Sequence, residues 1–270
     1  MNLFNILVVV IGAGDLGSGV VHKLARSGFR VAILEQNKPS SVRCKVSFSE
    51  AVYEKVMEVE GVVAEFAEDK TDIDTIFSKG HLPVLVGSVE KIIKDLKPDV
   101  VIDAIVAKRN LGINISMADI TIALGPGFTV DKDVHAVIET ERGHNLGKVI
   151  MEGSAAENTG RPGNVLGYER ERILWPPAGG YIKHIDKVDI GTFIKKGDIA
   201  AYVDDKEVHA DISGIIRGLR REGVYIKKGM KIGDIDPRKN ALEYCYTVSD
   251  KARSVAGGVL EAILYFMNKM

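Results

Sequence analysis

One short stretch constrains this chain more than any other: Ile6-Leu-Val-Val-Val-Ile11 runs without a polar residue into Gly12-Ala-Gly14-Asp15-Leu-Gly17. A continuous, β-branched apolar run is how a strand buried on both faces of a parallel sheet reads. From Asp15 the apolar residues fall at helical spacing, Leu16, Val20 and Leu24, and Gly28 closes the pattern where a helix C-terminus favours glycine. Strand, glycine turn and helix in that order give each glycine a task. The first permits the tight turn, the second lets a pyrophosphate approach the backbone, and the third lets the helix pack closely on the strand. The helix N-terminus, with its unpaired amides, then faces the anion. A second strand, Arg30 to Leu34, ends at Glu35, 18 residues beyond Gly17, about where a carboxylate reaches a ribose hydroxyl.

The alternation continues. Ser47-Phe-Ser-Glu50 reads as a capping box opening a helix toward Glu58. Strand-like Val62 to Ala67, helix-like Asp72 to Ser78, strand-like Leu82 to Val86, helix-like Val89 to Leu96 and strand-like Asp99 to Ala104 follow. The pattern predicts a Rossmann-like, doubly wound α/β sheet in a first domain over residues 1–165. Three further apolar runs, Ile120 to Leu124, Val134 to Ile138 and Lys148 to Met151, leave little room for helices, so the sheet is expected to finish with antiparallel strands.

The second half carries an internal repeat: Gly191-Thr-Phe-Ile-Lys-Lys-Gly197 recurs as Gly223-Val-Tyr-Ile-Lys-Lys-Gly229. Short, Gly- and Asp-punctuated strands around the two copies resemble the barrel-sandwich hybrid of biotinyl and lipoyl carrier domains, here over residues 166–240. That scaffold carries its cofactor on a lysine at a hairpin tip. Lys206 in Asp204-Asp-Lys-Glu207 is the nearest candidate, and its short spacing to Val208 predicts no covalent biotin or lipoate. The basic run Arg217, Arg220, Arg221, Lys227, Lys228 and Lys231 against Glu222 reads as a solvated turn or as a receiver of an anionic ligand or protein. Residues 241–270 close the chain as an amphipathic helix capped by Ser249, in which Gly257-Gly258 implies a close approach of backbone or ligand.

Composition excludes several classes. Lys plus Arg total 36 against 37 Asp plus Glu, so wholesale binding to nucleic acid or an anionic membrane is not expected. Cys44 and Cys245 are the only cysteines, which leaves no disulfide framework and no CxxC pair, and a cytoplasmic protein is expected. The apolar start is too short to span a bilayer, and no targeting segment is read.

Ligands of open α/β sheets bind outside the carboxyl ends of the strands. The expected site gathers Gly12, Gly14, Asp15, Gly17 and Glu35 with Asp103 and Arg109 after one strand, the Gly125-Pro-Gly127 turn after the next, and Glu139, Arg142 and His144 after a third. His135 and Glu139, four apart, would share a strand face. Without cysteine partners or an HExxH spacing they read as a salt-bridged strand end, with a metal or acid/base pair as the alternative. No metal site is expected. No catalytic residue is assigned, and a GxSxG elbow and a P-loop are absent.

Several further segments occur in order: Arg26-Ser-Gly-Phe29, Val46-Ser-Phe-Ser-Glu-Ala-Val-Tyr53, Leu124-Gly-Pro-Gly-Phe128, Val137-Ile-Glu-Thr-Glu-Arg-Gly-His144, Gly229-Met-Lys-Ile-Gly-Asp-Ile-Asp-Pro-Arg238 and Ser249-Asp-Lys-Ala-Arg253. With the glycine turn, this set resembles the YqeB-type family of selenium-dependent molybdenum hydroxylase system proteins. The resemblance implies an accessory protein for molybdenum cofactor maturation, binding an NAD-like or molybdopterin-dinucleotide ligand and serving an apo-molybdenum hydroxylase client. A homo-oligomer is compatible with it. An NAD-dependent oxidoreductase and a nucleotide-sensing regulatory module are the alternatives. Cys44, flanked by Arg43 and Lys45, and Cys245 read as packing residues, with a sulfur or selenium relay as the alternative.

Overall fold

A computed structural model describes residues 5–270, which form a mixed α/β protein that divides into two compact units. Among the described residues, the first unit comprises 5–39, 47–159 and 248–270, and the second 40–46 and 160–247. The division differs from the sequence reading in three ways. The first boundary falls at residue 159 rather than 165, a short excursion at 40–46 joins the second unit, and the closing helix is part of the first unit from Val248.

The first unit is built on a nine-stranded sheet. Its strands in chain order are β1 (Leu7–Ile11), β2 (Arg30–Glu35), β3 (Val56–Val59), β4 (Val62–Phe66), β5 (Leu82–Val86), β6 (Val100–Asp103), β7 (Ile120–Leu124), β8 (Ala136–Ile138) and β9 (Val149–Ile150). They lie in the order β3-β4-β5-β2-β1-β6-β7-β8-β9. Val8, Val9 and Val10 are wholly buried, as a run without polar residues requires in a strand covered on both faces. β1 pairs in parallel with β2 on one side and β6 on the other, Ile11 standing opposite both Leu34 and Asp103. The connecting helices are α1 (Asp15–Arg26), the single turn α2 (Ala51–Glu54), α3 (Asp72–Ser78) and α4 (Val89–Leu96).

Two expectations are corrected. No helix runs from Ser47 to Glu58: Ser47 makes no side-chain cap, α2 stops at Lys55 (φ 68°), and β3 begins at once. β3 turns back into β4 through Glu60-Gly61, both with positive φ, a two-residue turn matched to the twist of a hairpin. β7 and β8 are not antiparallel either. β6-β7 and β7-β8 pair in parallel, and only β9 reverses at that edge.

The second unit holds two four-stranded antiparallel sheets, ordered β10-β17-β15-β12 and β14-β13-β11-β16. Their strands are β10 (Ile173–Leu174), β11 (Gly180–Lys183), β12 (Phe193–Ile194), β13 (Ile199–Val203), β14 (Lys206–His209), β15 (Gly214–Leu219), β16 (Tyr225–Ile226) and β17 (Gly233–Asp236). The two copies of the repeat supply β12 to one sheet and β16 to the other, and the glycines flanking each copy all take positive φ. Much of the basic run is spent internally. Lys231 bonds Asp234, Arg217 lies 3.9 Å from Asp236, and Arg220 donates to the carbonyls of Ser40 and Lys231. The one-turn helix α5 (Ala241–Tyr244) precedes α6 (Asp250–Met267), which returns to the first unit.

Candidate functional site

The glycine turn lies at the carboxyl end of β1. Gly12 has φ 87° and donates its N–H to Leu34 O. A Cβ added there would lie 3.1 Å from Ile105 Cγ1, and one on Gly17 would sit 2.0 Å from Gly12 O. Packing therefore accounts for the first and third glycines. Gly14 opens α1 with φ −70° and ψ −165°, angles open to any residue, and provides no side-chain cap for the helix amides. Its lack of a side chain keeps the backbone approachable where the first amides of α1 point.

The turn is braced from two sides. Ser18 Oγ donates to Ala13 O and accepts the Phe48 N–H, while Ser49 N–H also donates to Ala13 O. Glu35, at the end of β2, accepts the Ala13 N–H at 2.9 Å and the Gln36 N–H at 2.8 Å. Asp103 ends β6 opposite Ile11 and is only 3% exposed. Burial pushes its carboxyl up to about 6, opposed by the Ile105 N–H that donates to Oδ1. Gly12, Gly14, Asp15, Gly17, Glu35 and Asp103 thus stand together around the ends of three adjacent parallel strands.

Beyond β6 the chain is strained. Val106 and Lys108 have φ of 56° and 63°, and a β-branched residue in that region costs about 1–3 kcal/mol. Arg109 is exposed, and its backbone crosses Gly127 so closely that a Cβ on that glycine would lie 2.5 Å from Arg109 N. Gly125 spends its N–H on Ile138 O, and a Cβ there would meet Thr140 Oγ1 at 2.6 Å. Both glycines of this turn answer packing demands, and fewer amides are offered to an anion than the sequence suggested.

Glu139 is buried and acts as a fastener. Its carboxylate accepts the N–H groups of Thr140 (2.6 Å), Glu141 (2.7 Å) and Ala156 (2.9 Å). His135 does not pair with it: Nδ1 meets the Thr121 N–H at 3.0 Å, and the ring packs edge-on against Phe266. No cluster of metal-ligating side chains occurs among the described residues. Arg142 forms a two-pronged ion pair with Asp250 at 2.9 and 3.3 Å, and His144 is exposed.

Asp250 introduces the element that sequence reasoning left out of the site. Ser249 Oγ caps α6 by accepting the Ala252 N–H, and a Cβ on Gly19 of α1 would lie 2.7 Å from Ala252 Cβ. Farther along, a Cβ on Gly258 would lie 2.1 Å from Gly147 O, the close backbone approach that the glycine pair implied. The first turn of α6 is thereby held against α1 and Arg142. Lys251 stands in that turn, half-buried. Burial lowers its pKa, helped by Arg142 and opposed by Asp15, Glu139 and Asp250. Its place in the first turn after a helix cap was the available signal.

No family model matches the chain. It is 46% identical over 263 residues to the uncharacterized protein YqeB of Escherichia coli strain K12, a match covering 97% of this chain. The chain spans about half the length of that curated relative, 48%. Among solved structures, the apo structure of the ectoine utilization protein EutE (DoeB) from Ruegeria pomeroyi covers 86% of each chain at 12% identity. Its TM-score is 0.26, too low to bear on the fold. No helix among the described residues is long and apolar enough to cross a membrane.

Proposed function

Similarity to YqeB along nearly the whole chain supports placing it in the YqeB family, and from that premise we propose a cytoplasmic accessory protein for selenium-dependent molybdenum hydroxylases. In this reading the first unit is Rossmann-like and binds a dinucleotide, NAD-like or a molybdopterin dinucleotide. The second unit, read as a barrel-sandwich hybrid without biotin or lipoate, docks the apo-hydroxylase client. Strand order supports the first assignment, because β2 and β6 flank β1 where ligands of open sheets bind. The repeat divided between two sheets supports the second. Lys206 follows a two-residue Asp204-Asp205 turn directly, so no extended tip carries it, and the intact mass is expected to equal the sequence mass.

Gly14 is the observation that carries the proposal. Neither its dihedral angles nor a cap requires glycine, whereas a pyrophosphate lying on the backbone does. Glu35 stands beside the turn and can share its carboxylate with a ribose hydroxyl, and exposed Arg109 adds a cation. When bound, the dinucleotide supplies the reactive group, and these residues hold and orient it. Replacing Gly14 by Val is expected to abolish binding of NAD, FAD and molybdopterin dinucleotides in calorimetric titration while the fold persists. Equal affinities for both proteins would remove the site, and transfer of cofactor to an apo-hydroxylase tests the client.

One observation favours an oxidoreductase as a second reading. Asp103, with a carboxyl near 6 at the same strand ends, can exchange a proton close to neutral pH. Reduction of added NAD(P)+ by candidate substrates, governed by a group titrating near 6 that disappears in Asp103→Asn, distinguishes this reading from the first.

A further inference from the structure

The ammonium of Lys251 makes no hydrogen bond or ion pair among the described residues, although burial has removed part of its hydration. Charged groups withdrawn from water are ordinarily paired, so an unpaired one is a cost that stability alone does not explain. Two of the three carboxylates whose charge reaches it are otherwise engaged. Asp250 is held by both guanidinium nitrogens of Arg142, and Glu139 accepts three backbone N–H groups. The third, Asp15, opens α1 beside Gly14. Side-chain packing fixes where the lysine stands: Gly19 admits Ala252 so closely that a Cβ would lie 3.0 Å from its carbonyl oxygen. Ser254 Oγ, one turn on, donates to Leu146 O at 2.9 Å. These contacts key the first turn of α6 to α1, and the charge of Lys251 acts on Asp15, the residue that follows Gly14.

We propose that Lys251, delivered by the closing helix, is the cationic ligand of the pyrophosphate seated on the glycine turn, a role resting on the dinucleotide reading above. The ligand class is a diphosphate ester. The turn contributes backbone amides along one side and Lys251 a point charge from the other, the division of labour that suits a compact ammonium. Arg142 is already committed to Asp250 and serves as a positioning residue for the first turn of α6.

The test is isothermal titration of inorganic pyrophosphate, NAD and adenosine into the full chain, its Lys251→Met and Lys251→Arg variants, and Lys94→Met as an exposed remote control. The expected result is pyrophosphate and NAD binding by the wild type, a loss of tenfold or more in Lys251→Met, substantial recovery in Lys251→Arg, and no change in Lys94→Met. Adenosine affinity, if measurable, should be equal throughout. Lys251→Met should keep the wild-type melting temperature or exceed it, because no bond of the ammonium is lost. Equal binding by Lys251→Met and Lys94→Met, with Gly14→Val still defective, overturns the role of Lys251 and leaves the dinucleotide reading standing. Wild-type protein that binds neither pyrophosphate nor NAD overturns both.

Discussion

The two units solve the problem of burying polar groups in opposite ways. In the sheet of the first unit, β1, β6 and β7 are apolar apart from Thr121 and Asp103, and the buried carboxyl Asp103 stands at a strand end with a single backbone donor. In the second unit β17 is buried along its whole length yet carries two aspartates. Asp234 faces Lys231 and Arg172, and Asp236 faces Arg238 and Arg217. The lone carboxyl marks a place where function can be housed, whereas the paired ones mark structure.

The largest expected effect is on the paired side of this comparison. Asp236→Ala removes the buried carboxylate that Arg217 and Arg238 both face and should destabilise the second unit by about 3 kcal/mol, the cost of breaking a buried pair by removing one partner. Trp175, the sole tryptophan, lies in that unit, so urea unfolding followed by its fluorescence reads the loss. A loss below about 1 kcal/mol would show that the network is not structural.

The next effect separates the units by pH. Asp103 has a folded carboxyl near 6, above its unfolded value, so the native state holds the proton more tightly. Stability of the first unit should therefore fall as pH rises from 4 through 6, by about 2–3 kcal/mol at full ionisation. Asp103→Asn should flatten the profile, as read by hydrogen exchange at β1. Asp236 behaves in the opposite sense. Burial alone would raise its pKa, but hydrogen bonds and charge from Arg238, with the charge of Arg217, override it and lower the value. Its contribution is present above the unfolded pKa and is lost as pH falls below about 4 through the lower folded value. Parallel acid responses in the two units would break the distinction.

The smallest effect sharpens it. Arg142→Ala removes an ion pair between exposed side chains and should change stability by about 0.5 kcal/mol or less. Any larger change in pyrophosphate affinity than in unfolding free energy then reports the placement of Lys251 rather than the fold.

How much was legible depended on how local the cause was. β1, α1, β2, β5 and α4 were readable because buried parallel strands and short amphipathic helices write their periodicity into consecutive residues. The Ser47–Glu50 spacing satisfied a capping rule, yet the Phe48 N–H goes to Ser18, thirty positions earlier, and no helix follows. β7 and β8 looked antiparallel because the link between them is too short for a helix, but the Gly125–Gly127 turn and the loop after it carry the chain across unaided. Of the expected site, the glycine turn, Glu35 and Asp103 stand at the ends of three adjacent parallel strands. Glu139 became a fastener, and Lys251 escaped notice because its surroundings come from α1 and β8, distant in sequence.

The return of α6 to the first unit also sets an order on biosynthesis. The ribosome releases β1 through β9 well before residues 250–267, so the nascent sheet must wait with the surface that α6 will cover exposed to solvent. Meanwhile the intervening unit has all its own strands and can complete its fold. Domains emerging from the ribosome generally fold as units, with incomplete ones prone to self-association. A chain truncated before Ser249 should therefore resemble a stalled nascent chain, with a finished β unit and an α/β unit kept from aggregation only by a holdase.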